Sequence, residues 1–92
     1  MDEVKRYSVK IPNKILKKIN KLDAPIRRRI TEWIDTNLQG CENPRAKGHA
    51  LEGDLGDLWR YRVGDYRIVA QIRDTEIVIV IVKVAKRESV YK

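Results

Sequence analysis

The chain has 92 residues, the size of a single compact domain, so we expect one domain over residues 1–92 and exclude a second folded unit. Hydrophobic residues make up 42% and charged residues 36% of the chain, which is enough apolar material for one small core and too much for a wholly disordered protein. The 20 Lys and Arg outnumber the 13 Asp and Glu and give a net charge of +7, which favours a polyanionic partner such as nucleic acid.

The first residues predict a strand followed by a short helix. Residues 4–11 alternate apolar and polar side chains, with Tyr7 and Val9 on the same side, and this period of two is typical of a half-buried strand. Pro12 breaks the pattern, and apolar residues then recur at helical spacing opposite a face of lysines. The apolar positions of this helix are Ile15, Leu16, Ile19 and Leu22, and its lysines are Lys14, Lys17, Lys18 and Lys21.

A second, longer helix is predicted from its end signals. Asp23 is a suitable N-cap, Pro25 suits a first turn, and Gly40 follows the last apolar position. Because the connection over residues 22–25 is short, we expect an antiparallel helical hairpin whose apolar stripes pack on a sheet. The apolar positions of the second helix are Ile26, Ile30, Trp33, Ile34 and Leu38.

The middle of the chain predicts a loop and then a β-hairpin. Residues 40–57 hold glycines, a proline and mixed charges with little periodicity, which favours a loop. Gly64-Asp65 is a two-residue turn signal between strands at residues 58–63 and 66–73.

That turn also predicts the register of the hairpin. Pairing Val63 with Tyr66 places Tyr61 opposite Ile68 and Trp59 opposite Ala70 on a core face. The same register places Arg62 opposite Arg67 on the other face, so we expect one apolar and one cationic face.

The last predicted strand, residues 76–84 after a weak turn at Asp74-Thr75, has no polar face and should lie inside the sheet. With the hairpin on one side of it and the first strand on the other, the strand order is two, three, four, one. We therefore predict an α+β fold with element order β-α-α-β-β-β, in which a helical hairpin packs on a mainly antiparallel four-stranded sheet.

Cysteine and histidine each occur once, as Cys41 and His49. A lone cysteine cannot form an internal disulfide. A zinc site needs about four ligands, and one cysteine and one histidine cannot supply them. We therefore expect no metal, and we expect no other cofactor. Neither a charged-then-apolar leader nor a run of about 18 uncharged apolar residues is visible, so we expect a cytoplasmic protein with no membrane partner.

Three arginines are predicted to converge on the cationic face. Arg60 and Arg62 share a parity, and Arg67 faces Arg62 across the hairpin. Like charges directly opposed across strands destabilise a sheet, and an anion such as phosphate would relieve the repulsion. The alternative is a solvated face with carboxylates between the arginines.

The C-terminal residues predict an extension of this site. Continued alternation carries Lys86 onto the arginine side, with Arg87 and Tyr91 close by, and a tyrosine there could stack on a base. A frayed polar tail is the alternative for these three residues.

The sequence resembles the RelE toxins of the RelE/ParE superfamily. The residues that carry the resemblance are a Leu-x-Gly loop at residues 51–53, a basic strand at residues 58–63, the hairpin Gly64-Asp65-Tyr66-Arg67, and the terminal Lys86-Arg87 and Val90-Tyr91.

The resemblance implies a toxin of a type II toxin–antitoxin pair that inhibits translation. Such a toxin is an endoribonuclease that enters the ribosomal A site and cuts the mRNA codon there without a metal. The ribose 2′-hydroxyl attacks the adjacent phosphate and leaves a 2′,3′-cyclic phosphate. By the match of motifs, Arg67 and Arg87 would hold the scissile phosphate, Arg60 and Arg62 would contact the RNA backbone, and Tyr91 would stack on or orient the nucleotide.

The chain departs from this pattern at the proton acceptor. RelE-like toxins often have lysine where this chain has Arg60 and Arg62, and arginine keeps its proton in any protein environment. His49 is the candidate base, because histidine ordinarily titrates near neutral pH and some superfamily members place an acid/base residue in this loop. Glu52 and Glu88 are weaker candidates, and a site with no dedicated base is also open.

The resemblance also implies macromolecular partners. They are a RelB-like antitoxin, which would form a toxin–antitoxin hetero-oligomer, and the ribosome with its mRNA and rRNA. Lys14, Lys17 and Lys18 of the first helix either form a solvated face or contact rRNA. Two other functions stay open on this scaffold, a ParE-like inhibitor of DNA gyrase and a non-catalytic relative.

Overall fold

The computed structural model describes residues 4–51 and 58–86, and over these residues the chain forms two helices against a five-stranded sheet. The predicted α+β class and the order of the main elements are confirmed. In chain order the elements are β1 (Ser8–Lys10), α1 (Asn13–Asn20), α2 (Ala24–Asn37), β2 (His49–Ala50), β3 (Leu58–Val63), β4 (Tyr66–Arg73) and β5 (Val78–Lys86).

The strands lie in the order β1-β5-β4-β3-β2, with β1 parallel to β5 and the other neighbours antiparallel. The predicted hairpin register is confirmed at every pair, including Arg62 opposite Arg67. The predicted count of four strands is wrong by one, because His49–Ala50 pairs with β3 inside the segment expected to be a loop. A strand of two residues is too short to show a period of two in the sequence.

The first strand is shorter than the predicted residues 4–11. The backbone of Tyr7 pairs with the segment after α2, since its N–H donates to the Cys41 carbonyl and its carbonyl accepts from the Gly40 N–H. The Val9 N–H donates to the side-chain oxygen of Gln39 at 2.9 Å. These contacts cover the outer edge of β1.

Both helices bury one apolar face against the same side of the sheet, α1 against β5 and α2 against β3. Each fully buried aliphatic side chain contributes on the order of 1.5–3 kcal/mol, so these stripes hold the two layers together. Leu16, predicted to lie on the apolar face of α1, is 39% exposed, because Ile15 and Ile19 occupy the buried line of that helix. The core from the helices is Ile15, Ile19, Ile30, Ile34 and Leu38, and from the sheet it is Tyr61, Val63, Ile68, Ala70, Ile72, Ile79, Ile81 and Val84.

The ends of α2 agree in part with the prediction. Asp23 is the N-cap residue and Pro25 lies in the first turn, but the Asp23 side chain makes no capping hydrogen bond. Gly40 follows the helix with a φ of 79°. Neither helix of the described part of the chain is long and apolar enough to cross a membrane.

The last strand begins at Val78 rather than at residue 76, because residues 74–77 form a turn in which Ile77 has a φ of 57°. As predicted, β5 lies inside the sheet, between β1 and β4. Only one of its faces is covered, however: Ile79 and Ile81 are buried, whereas Val82 is 39% exposed.

A β-bulge in β5 changes which residues share a face. Val69 pairs with Lys83 and Ala70 pairs with Ile81, so Val82 is the extra residue. Beyond the bulge the alternation reverses, and Val84 takes the buried side opposite Ile68. Lys83 consequently lies on the face that the helices leave open.

Candidate active site

The three arginines of the hairpin meet at the open face of the sheet. Arg62 lies directly opposite Arg67, and Arg60 follows Arg62 on the same side of β3. All three line one cavity of about 440 Å³, which we call the arginine cavity. Its other lining residues are Trp33, Lys47, Gly48, His49 and Tyr61.

His49 is brought to the arginines by the short strand β2. It pairs with Arg60, so the two residues lie side by side on neighbouring strands, and its exposed side chain lines the arginine cavity. The imidazole is therefore within the same site as the guanidinium groups, in a strand rather than in the loop that the sequence predicted.

A second cavity, of about 620 Å³, continues the site across the sheet toward β5. Arg60 and Arg67 line both cavities, and Lys83 joins them from the far strand. Simple alternation in the sequence missed Lys83, because only the bulge at Val82 turns it toward this face.

The same bulge alters the predicted position of Lys86. It lies opposite Tyr66, on the parity of the buried Val84, instead of continuing the arginine side. At the end of β5 it lines both the 620 Å³ cavity and a smaller one of about 110 Å³ beside Arg29 of α2. Lys86 therefore lies at the border of the site. Lys83 takes the place predicted for Lys86, on the face of the sheet that carries the arginines.

The segment before β2 adds a second missed cation, Lys47, which lines the arginine cavity beside His49. Two aromatic side chains of β3 hold the backbone of this segment: the Tyr61 hydroxyl donates to the Pro44 carbonyl at 2.5 Å, and Trp59 Nε1 donates to the Lys47 carbonyl at 2.6 Å. No periodicity in the sequence indicated this position, because it depends on contacts with a strand 12 or more residues away.

Gly48 lies between the cavity residues Lys47 and His49, and its backbone approaches strand β3 closely. Its φ is 78°, and a Cβ built on it would lie 2.3 Å from the Arg60 carbonyl oxygen and 2.9 Å from the Tyr61 ring. Only glycine fits there, since any other side chain would push the segment away from β3.

Asp74, in the turn between β4 and β5, joins this segment to the sheet. Its carboxylate accepts from the Tyr7 hydroxyl at 2.7 Å and from both terminal nitrogens of Arg45 at 3.1 and 3.0 Å. The hydrogen bonds from Arg45 and then from Tyr7 lower the pKa of Asp74, and the bond to Asp74 raises the pKa of Tyr7.

Two groups near the site are held in their neutral form. Burial raises the pKa of the Tyr61 phenol, so this hydroxyl remains a hydrogen-bond donor. Burial also raises the pKa of the Cys41 thiol, which disfavours the reactive thiolate form.

The site is strongly cationic. Neither the arginine cavity nor the 620 Å³ cavity has an aspartate or glutamate among its described lining residues. Within the described ranges the salt bridges engage Arg6, Arg45 and Arg73, none of which lines these cavities. Guanidinium groups in this arrangement can bind a phosphate and stabilise charge that develops on it.

The remaining predicted residues lie on the helical layer or outside the described residues. Arg87 and Tyr91, with Glu52 and Glu88, lie outside the described residues. The exposed lysines of α1 (Lys14, Lys17 and Lys18) are on the helical layer, whose buried face packs on the side of the sheet opposite to the arginines.

Comparison with known proteins places this chain in a family. Residues 9–91 match the family profile of the ParE toxin of the type II toxin–antitoxin system parDE. The chain belongs to the RelE/ParE toxin superfamily. The toxin is 32% identical over 85 residues to an Escherichia coli protein described as RelE-like, covering 90% of this chain and 85% of that protein.

Two further comparisons place the toxin on the RelE side of the superfamily. It is 26% identical to the mRNA interferase toxin RelE of Escherichia coli strain K12, over 89% of this chain and 84% of that protein. Its fold superposes on the toxin–antitoxin complex RelBE2 of Mycobacterium tuberculosis with a TM-score of 0.77 and 26% identity, covering 89% of this chain and 99% of that one. This is a RelE-like toxin of a toxin–antitoxin system.

Proposed function

We propose that this toxin is an endoribonuclease that cuts mRNA in the ribosomal A site and so inhibits translation in the cytoplasm. The observation that supports it most is the arginine cavity, where Arg60, Arg62 and Arg67 lie on one face in spite of their mutual repulsion. The similarity to a protein named as an mRNA interferase agrees with this proposal.

The chemistry is attack of the ribose 2′-hydroxyl on the adjacent phosphate, in line with the departing 5′ oxygen. The P–O5′ bond breaks as the new P–O2′ bond forms, and the product is a 2′,3′-cyclic phosphate. The reaction needs charge stabilisation on the phosphorane, a proton acceptor for the 2′-hydroxyl and a proton donor for the leaving oxygen.

The residues divide the first two of these tasks by position, and the departing 5′ oxygen takes its proton from water. Arg67, which lines both cavities, holds the scissile phosphate together with Arg87. Arg60 and Arg62 bind the flanking RNA backbone, and Tyr91 stacks on or orients the nucleotide. His49, beside Arg60, accepts the proton.

The ribosome supplies the remaining binding surface. The exposed lysines of α1 contact rRNA while the opposite side of the sheet holds mRNA, since both ligands are polyanions. The ribosome therefore fixes the geometry of attack that a small open site cannot fix alone.

A RelB-like antitoxin neutralises the toxin by covering the open face. Val69 and Val80 are partly exposed there; Val69 pairs with Arg60, and Val80 pairs with Gln71 further along the sheet. An amphipathic segment can bury these side chains while its carboxylates occupy the arginine cavity, which excludes RNA by charge and by bulk. The result is a toxin–antitoxin hetero-oligomer, the kind of assembly named in the RelBE2 structure.

One alternative has a specific observation in its favour. The family profile that matches residues 9–91 is that of the ParE toxins, and a ParE-like inhibitor of DNA gyrase is one of the functions open on this scaffold. On that hypothesis the cationic face would bind a protein and carry out no RNA chemistry.

A reconstituted translation system with one defined mRNA, read by primer extension, separates these functions. We expect new RNA ends inside ribosome-occupied codons, absent from naked RNA, and a loss of at least 100-fold in cleavage rate for Arg67→Ala, the usual order for removing a group that stabilises transition-state charge. Arg73→Ala is the matched control, because Arg73 is on the same face of the same strand, six residues and about 20 Å from Arg67. It should keep the wild-type rate.

Gyrase supercoiling is measured alongside. Intact mRNA together with inhibited supercoiling would transfer the protein to the gyrase-inhibitor function, and intact mRNA with normal supercoiling would identify a non-catalytic relative. Equal loss of cleavage in Arg67→Ala and Arg73→Ala would reject the arginine cavity as the site.

A further inference from the structure

Two further residues of the arginine cavity, Lys47 and His49, lie where a segment with little regular structure runs into the two-residue strand β2, which begins at His49. Between α2 and β2 the chain runs through residues 41–48 as turns and bends, and its side chains are mostly exposed. Such a segment does not hold its own geometry, so its position must come from contacts with the rest of the molecule.

A continuous series of contacts leads from the β4–β5 turn to this segment. Asp74 holds Arg45 with two hydrogen bonds, and Tyr7 donates a third to the same carboxylate. The Arg45 guanidinium carbon lies 6.0 Å from the centre of the Trp59 ring, within the range of a cation–π contact. Trp59 in turn donates its indole N–H to the Lys47 carbonyl.

The end of this series is the wall of the cavity. Lys47 and His49 flank Gly48, whose backbone touches the Arg60 carbonyl, so a small shift of the segment moves both side chains relative to the arginines. Asp74 lines neither cavity of the site, so we expect it to act on the site through its contacts and not by binding RNA itself.

We propose that Asp74 is a positioning residue, which acts through Arg45 and Trp59 to fix Lys47 and His49 against the arginines. We call the contacts of Asp74, Arg45 and Trp59 the loop clamp. Its consequence for RNA cleavage rests on the proposed function, whereas its effect on the geometry of His49 does not.

The proposal predicts an effect on the rate of the chemical step rather than on binding. Displacing a catalytic group by about 1 Å can cost on the order of 100-fold in rate. Asp74→Asn keeps the shape of the side chain and raises the net charge by one, so long-range attraction to the ribosome is kept or strengthened. We expect kcat to fall 10- to 100-fold and KM to stay constant or fall.

The turn offers a matched control. Glu76 is a carboxylate two residues from Asp74 with nearly equal side-chain exposure, 55% against 54%, and it pairs with Arg73 at 3.3 Å instead of with the loop. Glu76→Gln makes the same change of charge in the same turn without touching the loop clamp. It should keep wild-type kcat and KM.

A readout independent of activity is the NMR signal of His49. As the one histidine of the chain, it gives a single imidazole Hε1 resonance. We expect Asp74→Asn, but not Glu76→Gln, to move this resonance toward its position in the urea-unfolded chain. The shift caused by titrating inorganic phosphate into the folded protein should fall at least threefold.

The His49 resonance, its response to phosphate and RNA cleavage together either support or overturn the proposed loop clamp. A His49 resonance and phosphate response unchanged in a folded Asp74→Asn variant would overturn the proposal, as would equal effects of Asp74→Asn and Glu76→Gln. If Asp74→Asn displaces the His49 resonance while the wild-type toxin cuts no RNA, the loop clamp is supported and the proposed function is rejected.

A second variant covers the case in which Asp74→Asn fails to fold. Trp59→Phe keeps one aromatic ring beside Arg45 and removes the indole N–H that donates to the Lys47 carbonyl. It should produce the same displacement of the His49 resonance, and a folded Trp59→Phe variant with the wild-type resonance would also overturn the proposal.

Discussion

At the scale of single residues, the most informative pair is Arg62 and Arg67. They lie directly opposite each other in the hairpin, and no described carboxylate lines the cavity that they share. Two like charges in this position weaken the pairing of the strands, so the fold keeps them at a cost to its own stability. A ligand of opposite charge would relieve this repulsion, which agrees with the proposed binding of RNA phosphates.

Neutralising one member of this pair should stabilise the folded toxin. We expect Arg62→Gln, which removes the charge and keeps a polar side chain, to raise the free energy of unfolding by roughly 0.2–1 kcal/mol at low ionic strength. The gain should shrink as salt screens the repulsion. Urea denaturation at low and high salt measures both effects.

The control for that measurement is Arg73→Gln on the neighbouring strand. Arg73 forms a salt bridge with Glu76, so its neutralisation should leave stability unchanged or lower it. If Arg62→Gln lowers the free energy of unfolding as much as Arg73→Gln or more, the arginines lie on a solvated face whose positive charge is balanced by carboxylates.

At the scale of elements, two irregularities build the site. The two-residue strand β2 places His49 beside Arg60, and the bulge in β5 turns Lys83 onto the same face. Without β2 and without the bulge in β5, His49 and Lys83 would not lie beside the arginines. Irregular strand pairing next to an active site is a common way to aim side chains.

The contact of Gly48 with β3 gives a prediction at this scale. Gly48→Ala should destabilise the toxin by about 2 kcal/mol or more and displace the His49 resonance, because a Cβ would meet the Arg60 carbonyl oxygen at 2.3 Å. Denaturation together with NMR of the single histidine tests both parts.

The control is Gly40→Ala. This substitution adds the cost of a left-handed backbone conformation without the clash expected for Gly48→Ala. Gly40 has almost the same φ, 79° against 78°, and a Cβ there would meet no atom within 4 Å. It should lose only about 1 kcal/mol, the cost of a left-handed conformation, and leave His49 in place. Equal effects of the two substitutions would show that the approach of Gly48 to β3 does not position the loop.

At the scale of the whole molecule, the charge is divided between two layers. The helical layer carries the lysines of α1, and the open face of the sheet carries the arginines beside partly exposed valines. A small domain with cations on both sides can hold two polyanionic surfaces at once. This arrangement suits a protein that binds mRNA while it is surrounded by rRNA.

The divided charge also predicts how a RelB-like antitoxin associates. An acidic segment is steered to the arginine face by long-range attraction, so the association rate constant should fall at least tenfold between about 20 and 500 mM salt. The dissociation rate constant should change less, because the buried valines hold the complex. Stopped-flow fluorescence of the two tryptophans measures both constants, and an association rate constant independent of salt would contradict the proposed docking.

Much of the fold was predictable from the sequence because it is encoded locally. Gly64-Asp65 is a two-residue turn, and a turn of that length fixes which residues of β3 and β4 face each other, including Arg62 and Arg67. The helical spacing of Ile15 and Ile19, and of Ile30 and Ile34, likewise depends on residues three or four positions apart. Such patterns are complete within a few residues of the chain.

The sequence by itself thus determined the class of fold, the order of the four longer strands, the register of the hairpin and the resemblance to RelE toxins. Only the tertiary structure decided that Lys83 and Lys47 join the arginines, that His49 pairs with Arg60, and that Asp74 reaches Arg45. The physical reason is that these positions depend on a bulge and on contacts between residues far apart in the chain, 29 positions in the case of Arg45 and Asp74, which leave no periodic signal in the sequence.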